Sequence, residues 1–346
     1  MNNSKKVLLT GGAGFIGSHT LIALYNMGYQ PVVVDDMRNS HDFIFNNVKD
    51  IINDEIIHYK VDCCDEKAMR QVFFEHKDLL GVIHFAAYKA VGESVDNPTM
   101  YYKNNVQSLN VLLDLMEEFE IDNIVFSSSC TVYGSPEVIP VTEETPMQYA
   151  ESPYGFTKQI GERVCSDWTS AKNKTAILLR YFNPIGAHES GTIGELPVGK
   201  PQNLVPFITQ SAIGKLGALT IHGDDYDTED GSCIRDYIHV MDLAEAHVKA
   251  IEYSFRTKDS GSSMFNIGTG RGASVLELVK SFIKVNKVDL NYSIGPRRSG
   301  DVPAIYADCS KAEKMIGWKA RYTMEDALKH SWEWEKNLKD KYADLI

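Results

Sequence analysis

Three features of this chain predict an α/β fold built on a doubly wound parallel sheet. Short apolar runs alternate with stretches of helical periodicity through the first half. A glycine-rich turn, Thr10-Gly11-Gly12-Ala13-Gly14-Phe15-Ile16-Gly17, joins the first run to the first helical stretch, and Asp35 closes the second run. The strand-like runs cover residues 6–10, 31–35, 56–60, 81–85, 123–127 and 176–181. Apolar positions at helical spacing cover 15–27, 68–76 and 99–119. Gly28 follows the first of these as a C′ residue, and Ser152-Pro153 offers a further helix its N-cap and a proline at N1. Strand and helix in alternation mean βαβ units, hence a parallel sheet covered on both faces.

Past Phe182 the pattern loosens. Residues 186–206 are rich in glycine and proline and read as an extended loop. Two helix signals, 240–255 and 275–284, bracket a strand-like run at 264–267. A smaller, irregular second domain at the end of the sheet is expected, consistent with a length of 346 residues.

The 35 basic and 47 acidic residues leave a formal net charge of −12, which argues against diffuse binding to nucleic acid or to an anionic membrane surface. The start, MNNSKK followed by VLLT, lacks the apolar core of a secretory leader, and no run is long enough to span a bilayer. The six cysteines form no CxxC pair, so they read as reduced thiols of a cytoplasmic protein, with no metal site expected.

The glycine turn satisfies GxGxxG from Gly12 and GxxGxxG from Gly11. Glycines there let the backbone N–H groups at a helix N-terminus approach a pyrophosphate without Cβ interference. Asp35, 35 − 17 = 18 residues after Gly17, is placed to accept hydrogen bonds from an adenosine ribose and to repel a 2′-phosphate. The cofactor expected is therefore NAD rather than NADP. The simpler alternative, that Asp35-Asp36 only starts a turn, is weakened by the strand before it.

Tyr154 and Lys158 form the only Tyr-x-x-x-Lys in the chain and share one helix face. A tyrosine of pKa about 10 is a poor base at neutral pH. An ammonium about 4 Å away at an effective dielectric of about 20 favours the phenolate by roughly 4 kcal/mol, or about three pKa units. Lys158 and an oxidised nicotinamide together are expected to bring Tyr154 near neutrality, so that it acts as a base toward a hydroxyl losing hydride. Ser127-Ser128-Ser129-Cys130-Thr131-Val132-Tyr133-Gly134 stands at the carboxyl end of the fifth strand, where ligands bind in such sheets. Ser129 is the hydroxyl expected to share the substrate with Tyr154, while its neighbours cap the loop.

Several stretches, in order, carry a resemblance: the glycine turn, FAAYKAVGESVDNP, SSSCTVYG, SPYGFTK, LLRYFNPIGAH, DYDTEDGSCIRDYIHVMDLA and PRRSGDVPA. Together they resemble the extended short-chain dehydrogenase/reductase family, and within it the UDP-glucose 4-epimerases. The resemblance implies a Rossmann domain of residues 1–182 plus 239–268 and a smaller α/β UDP-sugar-binding domain of 183–238 plus 269–346. It implies Ser129, Tyr154 and Lys158 as the catalytic set. It implies NAD contacts from these and from Gly11, Gly14, Phe15, Ile16, Gly17, Asp35, Asp36, Asn39, Ser40, Asp62, Cys63, Phe85, Ala86, Lys89, Asn104 and Tyr181. For the UDP-sugar it implies Ser129, Tyr154, Thr131, Asn183, Asn203, Leu204, Arg235, Tyr237, Arg298, Asp301 and Ile305.

The activity implied is interconversion of UDP-galactose and UDP-glucose: oxidation at C4, rotation of the 4-keto sugar and return of hydride by the same NAD. A homodimer pairing through helices 99–119 and 153–172 is implied as well. Ala87 stands where glycine is common, and Ile305 holds a position that limits room around the sugar. Tyrosine there restricts the site to UDP-glucose and UDP-galactose. Isoleucine, intermediate in bulk, leaves open a bifunctional enzyme that also takes the N-acetylated UDP-sugars. A nucleotide-sugar 4,6-dehydratase would need an Asp-Glu pair where this chain has Cys130-Thr131-Val132. An NAD-sensing protein without turnover is opposed by retention of Ser129, Tyr154 and Lys158.

Overall fold

The computed structural model describes residues 5–257, 259–298 and 301–342. Residues 1–4, and Ser299-Gly300 of the PRRSGDVPA stretch, lie outside the described residues.

The first half folds as β1 (Lys5–Thr10), α1 (Phe15–Asn26), β2 (Tyr29–Asp35), α2 (Phe43–Ile52), β3 (Ile57–Lys60), α3 (Glu66–Glu75) and β4 (Leu79–His84). It continues through α4 (Val91–Asp96), α5 (Pro98–Tyr101), α6 (Gln107–Glu118), β5 (Asn123–Ser127), α7 (Pro153–Lys172) and β6 (Thr175–Tyr181). Next come β7 (Asn183–Ile185), α8 (Leu204–Ala212), β8 (Leu219–His222), β9 (Ile234–His239), α9 (Val240–Arg256) and β10 (Gly261–Ile267). The last elements are β11 (Gly272–Ser274), α10 (Val275–Asn286), β12 (Tyr292–Gly295), β13 (Ala304–Ile305), α11 (Ser310–Ile316) and α12 (Met324–Lys341).

Among the described residues the main sheet has seven strands in the order β10-β6-β5-β4-β1-β2-β3, all paired in parallel. This is the doubly wound Rossmann arrangement, and the winding reverses between β1 and β4. Alternation along the strands explains why both faces are covered. Val7, Leu9, Val33, Ile83, Val125, Ile177 and Leu179 point to one side, into a core with residues of α1 and α9. Leu8, Val32, Val34, Val82, Ile124, Phe126, Ala176 and Leu178 point to the other, against α3 and α6. Each such side chain contributes about 1.5–3 kcal/mol when fully buried.

The helix punctuation matches the sequence reading. Gly28 takes φ +81° one residue past the C-cap of α1. The Ser152 hydroxyl accepts from Gly155 N at 3.1 Å, with Pro153 at the start of α7. Two expectations need correction. The helix expected over 99–119 is broken into α5, a π-helical turn at Tyr102–Val106, and α6. The π turn places Asn105 so that its side chain meets both Tyr88 N (2.8 Å) and Tyr88 O (3.0 Å), fastening the segment after β4. The loop expected through 206 ends earlier, because α8 begins at Leu204. Pro206 lies in its first turn, where a missing N–H costs no helical hydrogen bond.

After β6 the chain enters a smaller sheet, in which β7 and β13 run parallel to β9 and β11 runs antiparallel to it. It returns to the main sheet at β10 and leaves again. A separate core of Ile185, Val205, Ile208, Leu219, Ile221, Tyr237, Leu278, Phe282 and Leu328 binds β7, α8, β8, β9, α10 and α12 together. Among the described residues no helix is long and apolar enough to cross a membrane.

Candidate active site

The glycine turn lies at the switch between β1 and β4. Gly11 has φ +72°, and a Cβ on it would come within 2.8 Å of Ala86 N. A Cβ on Gly17 would strike the Gly11 carbonyl oxygen. The backbone is therefore folded back on itself, and only glycine fits both places. Gly14 is the N-cap of α1 and gives no side-chain cap, and no acidic residue stands in the first turn. Phe15 and Ile16 open that turn. The helix thus presents N–H donors and a positive dipole end without an internal counter-charge.

Asp35 accepts from Ala13 N and Met37 N, both at 2.9 Å, one on each oxygen. Each oxygen keeps a further lone pair, so two acceptors remain for a ribose diol. Burial pushes its carboxyl above the usual range, and the two backbone donors oppose that shift. The Ser40 hydroxyl donates to Ala13 O at 2.7 Å, closing the loop over the glycine turn, while Asn39 is exposed. Asp36 and Asp62 are both engaged by Arg38, through Nε at 2.5 Å and Nη2 at 2.7 Å. The Arg38 guanidinium also lies 5.2 Å from the Tyr88 ring centroid. Sequence reading missed Arg38 and Tyr88, because nothing local shows that β2, β3 and the segment after β4 converge there. Cys63 is buried, which pushes its thiol up. Phe85 donates its N–H to Thr10 O at 3.1 Å and packs on His247, 4.5 Å between ring centroids. Ala86 N donates to the Thr10 hydroxyl at 3.4 Å. Asn104 sits in the π turn and donates to Asn105 Oδ1 at 3.0 Å.

At the end of β5 the chain forms a short 3-10 turn, and Ser129 caps it by accepting from Thr131 N at 3.2 Å. Tyr154 and Lys158 are buried on the face of α7 turned to this loop. Lys158 Nζ donates to Ser127 O at 2.7 Å and lies 5.8 Å from the Tyr154 ring centroid. Burial lowers its pKa to about 8. The protein's own groups do not by themselves lower the Tyr154 phenol. Burial raises the Tyr154 phenol far above its usual value, Tyr181 adds to the rise, and a hydrogen bond with Ser129 opposes it. Desolvation outweighs a cation anchored elsewhere, so Tyr154 rests as a phenol. Tyr181 shares a short hydrogen bond with Ser127. The Thr131 hydroxyl is buried without a partner among the described residues, an orphan suited to a polar ligand.

Behind this loop, Ser128 donates to Glu162, which pairs with Arg180 through bonds of 2.9 and 2.7 Å. Arg180 reaches the Tyr133 hydroxyl at 3.1 Å, and Tyr133 donates to Asn266 Oδ1 at 2.6 Å. The network ties the Ser129 loop to α7 and β6, and no sequence signal revealed it.

The second residue set gathers on the smaller sheet. Register places Asn183 beside Tyr237 and Ile305 beside Arg235. Arg235 donates to Val302 O at 2.8 Å and meets Asp301 at 3.4 Å, and Arg298 meets the same carboxylate at 2.8 Å. Ile305 is buried against Val132, Tyr133 and Phe182, joining the sheet to the Ser129 loop. Asn203 and Leu204 stand at the N-terminus of α8. A small cavity of about 50 Å³ is lined by Asn183, Asn203, Leu204 and Tyr237, together with Glu195. Lys89, from the cofactor side, ion-pairs with Glu195 at 3.0 Å. Glu195 was another residue the sequence left unmarked.

Residues 8–331 match the family described as GDP-mannose 4,6 dehydratase. The chain is 46% identical over 339 residues to the UDP-glucose 4-epimerase of Haemophilus influenzae, covering 98% of this chain and 99% of that one. It is 47% identical over 332 residues to that of Bacillus subtilis, covering 96% and 97%. A solved structure of UDP-glucose 4-epimerase from Bifidobacterium longum, in complex with NAD+ and UDP, is similar with a TM-score of 0.93 and 46% identity, over 98% of this chain and 100% of that one. The chain belongs to the UDP-glucose 4-epimerases of the extended short-chain dehydrogenase/reductase family.

Proposed function

We propose that this protein interconverts UDP-galactose and UDP-glucose by NAD-dependent inversion at C4 of the sugar. The observation that carries this reading is the packing of Tyr154 and Lys158 against the Ser129 loop at the end of β5, a loop that Ile305 joins to the strand carrying Arg235. Bound NAD would supply the hydride acceptor and donor for C4. The backbone of Gly11, Gly14, Phe15, Ile16 and Gly17 would hold its pyrophosphate and Asp35 its ribose. Asp36, Asn39, Ser40, Asp62, Cys63, Phe85, Ala86, Lys89, Asn104 and Tyr181 would complete that cradle.

The chain's own residues handle the proton and the substrate. Tyr154 first releases its own proton to solvent, a step the Lys158 ammonium favours; the phenolate then takes the proton of the 4-hydroxyl and becomes a phenol again, while Ser129 shares that oxygen by hydrogen bonding. Arg235 and Arg298 hold the diphosphate together with the start of α8 at Asn203 and Leu204, and Asn183 and Tyr237 hold the rest of the UDP. Thr131 and Ile305 border the sugar. Tethered by UDP, the 4-keto sugar turns, and Tyr154 returns the proton once its other face is presented. Binding energy far from C4 thus serves the chemistry at C4.

The cofactor unit comprises residues 1–182 plus 239–268, and the UDP-sugar unit 183–238 plus 269–346. The return of the chain to the main sheet at β10 supports that division. A homodimer pairing through the 99–119 and 153–172 segments is supported by Phe156, an exposed aromatic on α7. A cytoplasmic setting is supported by six free cysteines. Although the matched family bears a dehydratase description, Cys130-Thr131-Val132 supplies no acid–base pair for eliminating water. Incubating the purified protein with UDP-galactose and identifying the product tests the proposal: UDP-glucose is expected, and a 4-keto-6-deoxy sugar would replace this reading with a dehydratase.

A further inference from the structure

Asn203 occupies the N-cap of α8 with extended backbone, φ −89° and ψ 149°, yet its side chain makes no cap hydrogen bond. Asparagine is among the strongest N-caps, and with Pro206 third in α8 the N–H open to it is that of Val205. Here the amide is turned elsewhere: Asn203 Nδ2 donates to Glu195 Oε1 at 2.5 Å. The same oxygen accepts Lys89 Nζ at 3.0 Å. No acidic residue stands in the first turn of α8. The helix therefore offers uncapped N–H donors on the wall of the cavity lined by Asn183, Glu195, Leu204 and Tyr237.

Glu195 is well anchored for such a task. Its backbone oxygen accepts from Trp334 Nε1 at 3.0 Å, and its side chain is only 10% exposed. Lys89 is 53% exposed, so the ion pair adds little to stability by itself. It does supply the counter-charge that lets a carboxylate sit in a cleft meant for anions.

We propose that Glu195 is a positioning residue of the UDP-sugar cleft, drawing the Asn203 amide off the N-terminus of α8 and keeping that helix end open to the diphosphate. This rests on the epimerase reading of the cleft. Without Glu195, Asn203 turns back and caps the Val205 N–H, occupying one of the donors that the diphosphate needs. The loss of a hydrogen bond to a charged group corresponds to about tenfold in affinity.

The test is calorimetric binding of UDP to the NAD-loaded protein, with steady-state kinetics on UDP-galactose alongside. Glu195→Ala weakens UDP about tenfold and raises KM to match, with kcat changed less than about threefold. Glu195→Gln, whose amide oxygen still accepts from Asn203, stays close to wild type. In an Asn203→Ala background the Glu195→Ala change adds nothing further, a non-additivity that a purely structural role does not produce. Should Glu195→Ala not fold, Glu195→Met, which keeps the stem without the acceptor, is judged by the same results. Wild-type UDP affinity in the alanine or methionine variant, or full additivity with Asn203→Ala, overturns the proposal. If the wild-type protein itself neither binds UDP nor epimerises, the epimerase reading fails first.

Discussion

Lys158 Nζ donates to the carbonyl oxygen of Ser127 at 2.7 Å, so the buried ammonium is fastened to the strand that carries the serine loop rather than to Tyr154. The helix bearing Tyr154 and the strand leading to Ser129 are held together by the cation that must later favour the phenolate. Lys158 thus aligns the site as well as supplying charge.

Burial lowers Lys158 from 10.5 to about 8, which fixes the sign of a pH effect on stability. Between about pH 8 and pH 10.5 the unfolded chain holds a proton on this lysine that the folded protein has released. Stability from this group therefore rises with pH through that window and is lost as pH falls through about 8. Denaturant unfolding of wild type and Lys158→Met across the window should show a rise in wild type relative to the variant. Parallel curves would contradict the assignment.

Tyr154→Phe removes the hydroxyl that bonds with Ser129 and that carries the proton in this account. Turnover should fall by at least about a hundredfold. Bound NAD should remain, since the cradle is untouched. Near-wild-type kcat in that variant would mean that another group carries the proton.

The Glu162–Arg180 pair is 3% and 2% exposed, so neither charge has water to fall back on. Arg180→Met leaves Glu162 a buried, uncompensated carboxylate and should cost about 3–5 kcal/mol in chemical denaturation. The double change Glu162→Gln with Arg180→Met should recover much of that loss. A single-variant cost under about 1 kcal/mol, the scale of an exposed pair, would contradict this account.

Ile305 packs on Val132, Tyr133 and Phe182 and is held opposite Arg235 by strand register. Ile305→Ala should raise the ratio of kcat/KM for UDP-N-acetylgalactosamine over UDP-galactose, and Ile305→Tyr should lower it. The alanine change should also cost about 2–5 kcal/mol of stability, because it opens a cavity. A ratio unmoved by both would remove Ile305 from the sugar wall.

Much of this was legible in the sequence where the signal is local. The run Asn123–Ser127 and the start of the helix at Pro153 lie where expected because an apolar run, a serine cap and a proline at N1 are short-range facts. The start of α8 was not, since Pro206 reads as a loop signal although the first turn tolerates it. Nor was the break in 99–119, where the π turn exists to bring Asn105 to Tyr88. Arg38, Glu162 and Glu195 were silent because their meaning lies in partners far along the chain: Asp62, Arg180 and Lys89. The effect of burial on Tyr154 was not legible for a related reason. Spacing shows that an ammonium is near, but not that burial outweighs it or that Ser127 holds it away.

The central claim is that one active site removes and returns the same hydride at C4. UDP-galactose carrying deuterium at C4, incubated with the purified protein in ordinary water without added NAD, tests it most directly. The account predicts UDP-glucose with the deuterium retained at C4. Label lost to solvent, or a 4-keto-6-deoxy product, would contradict it.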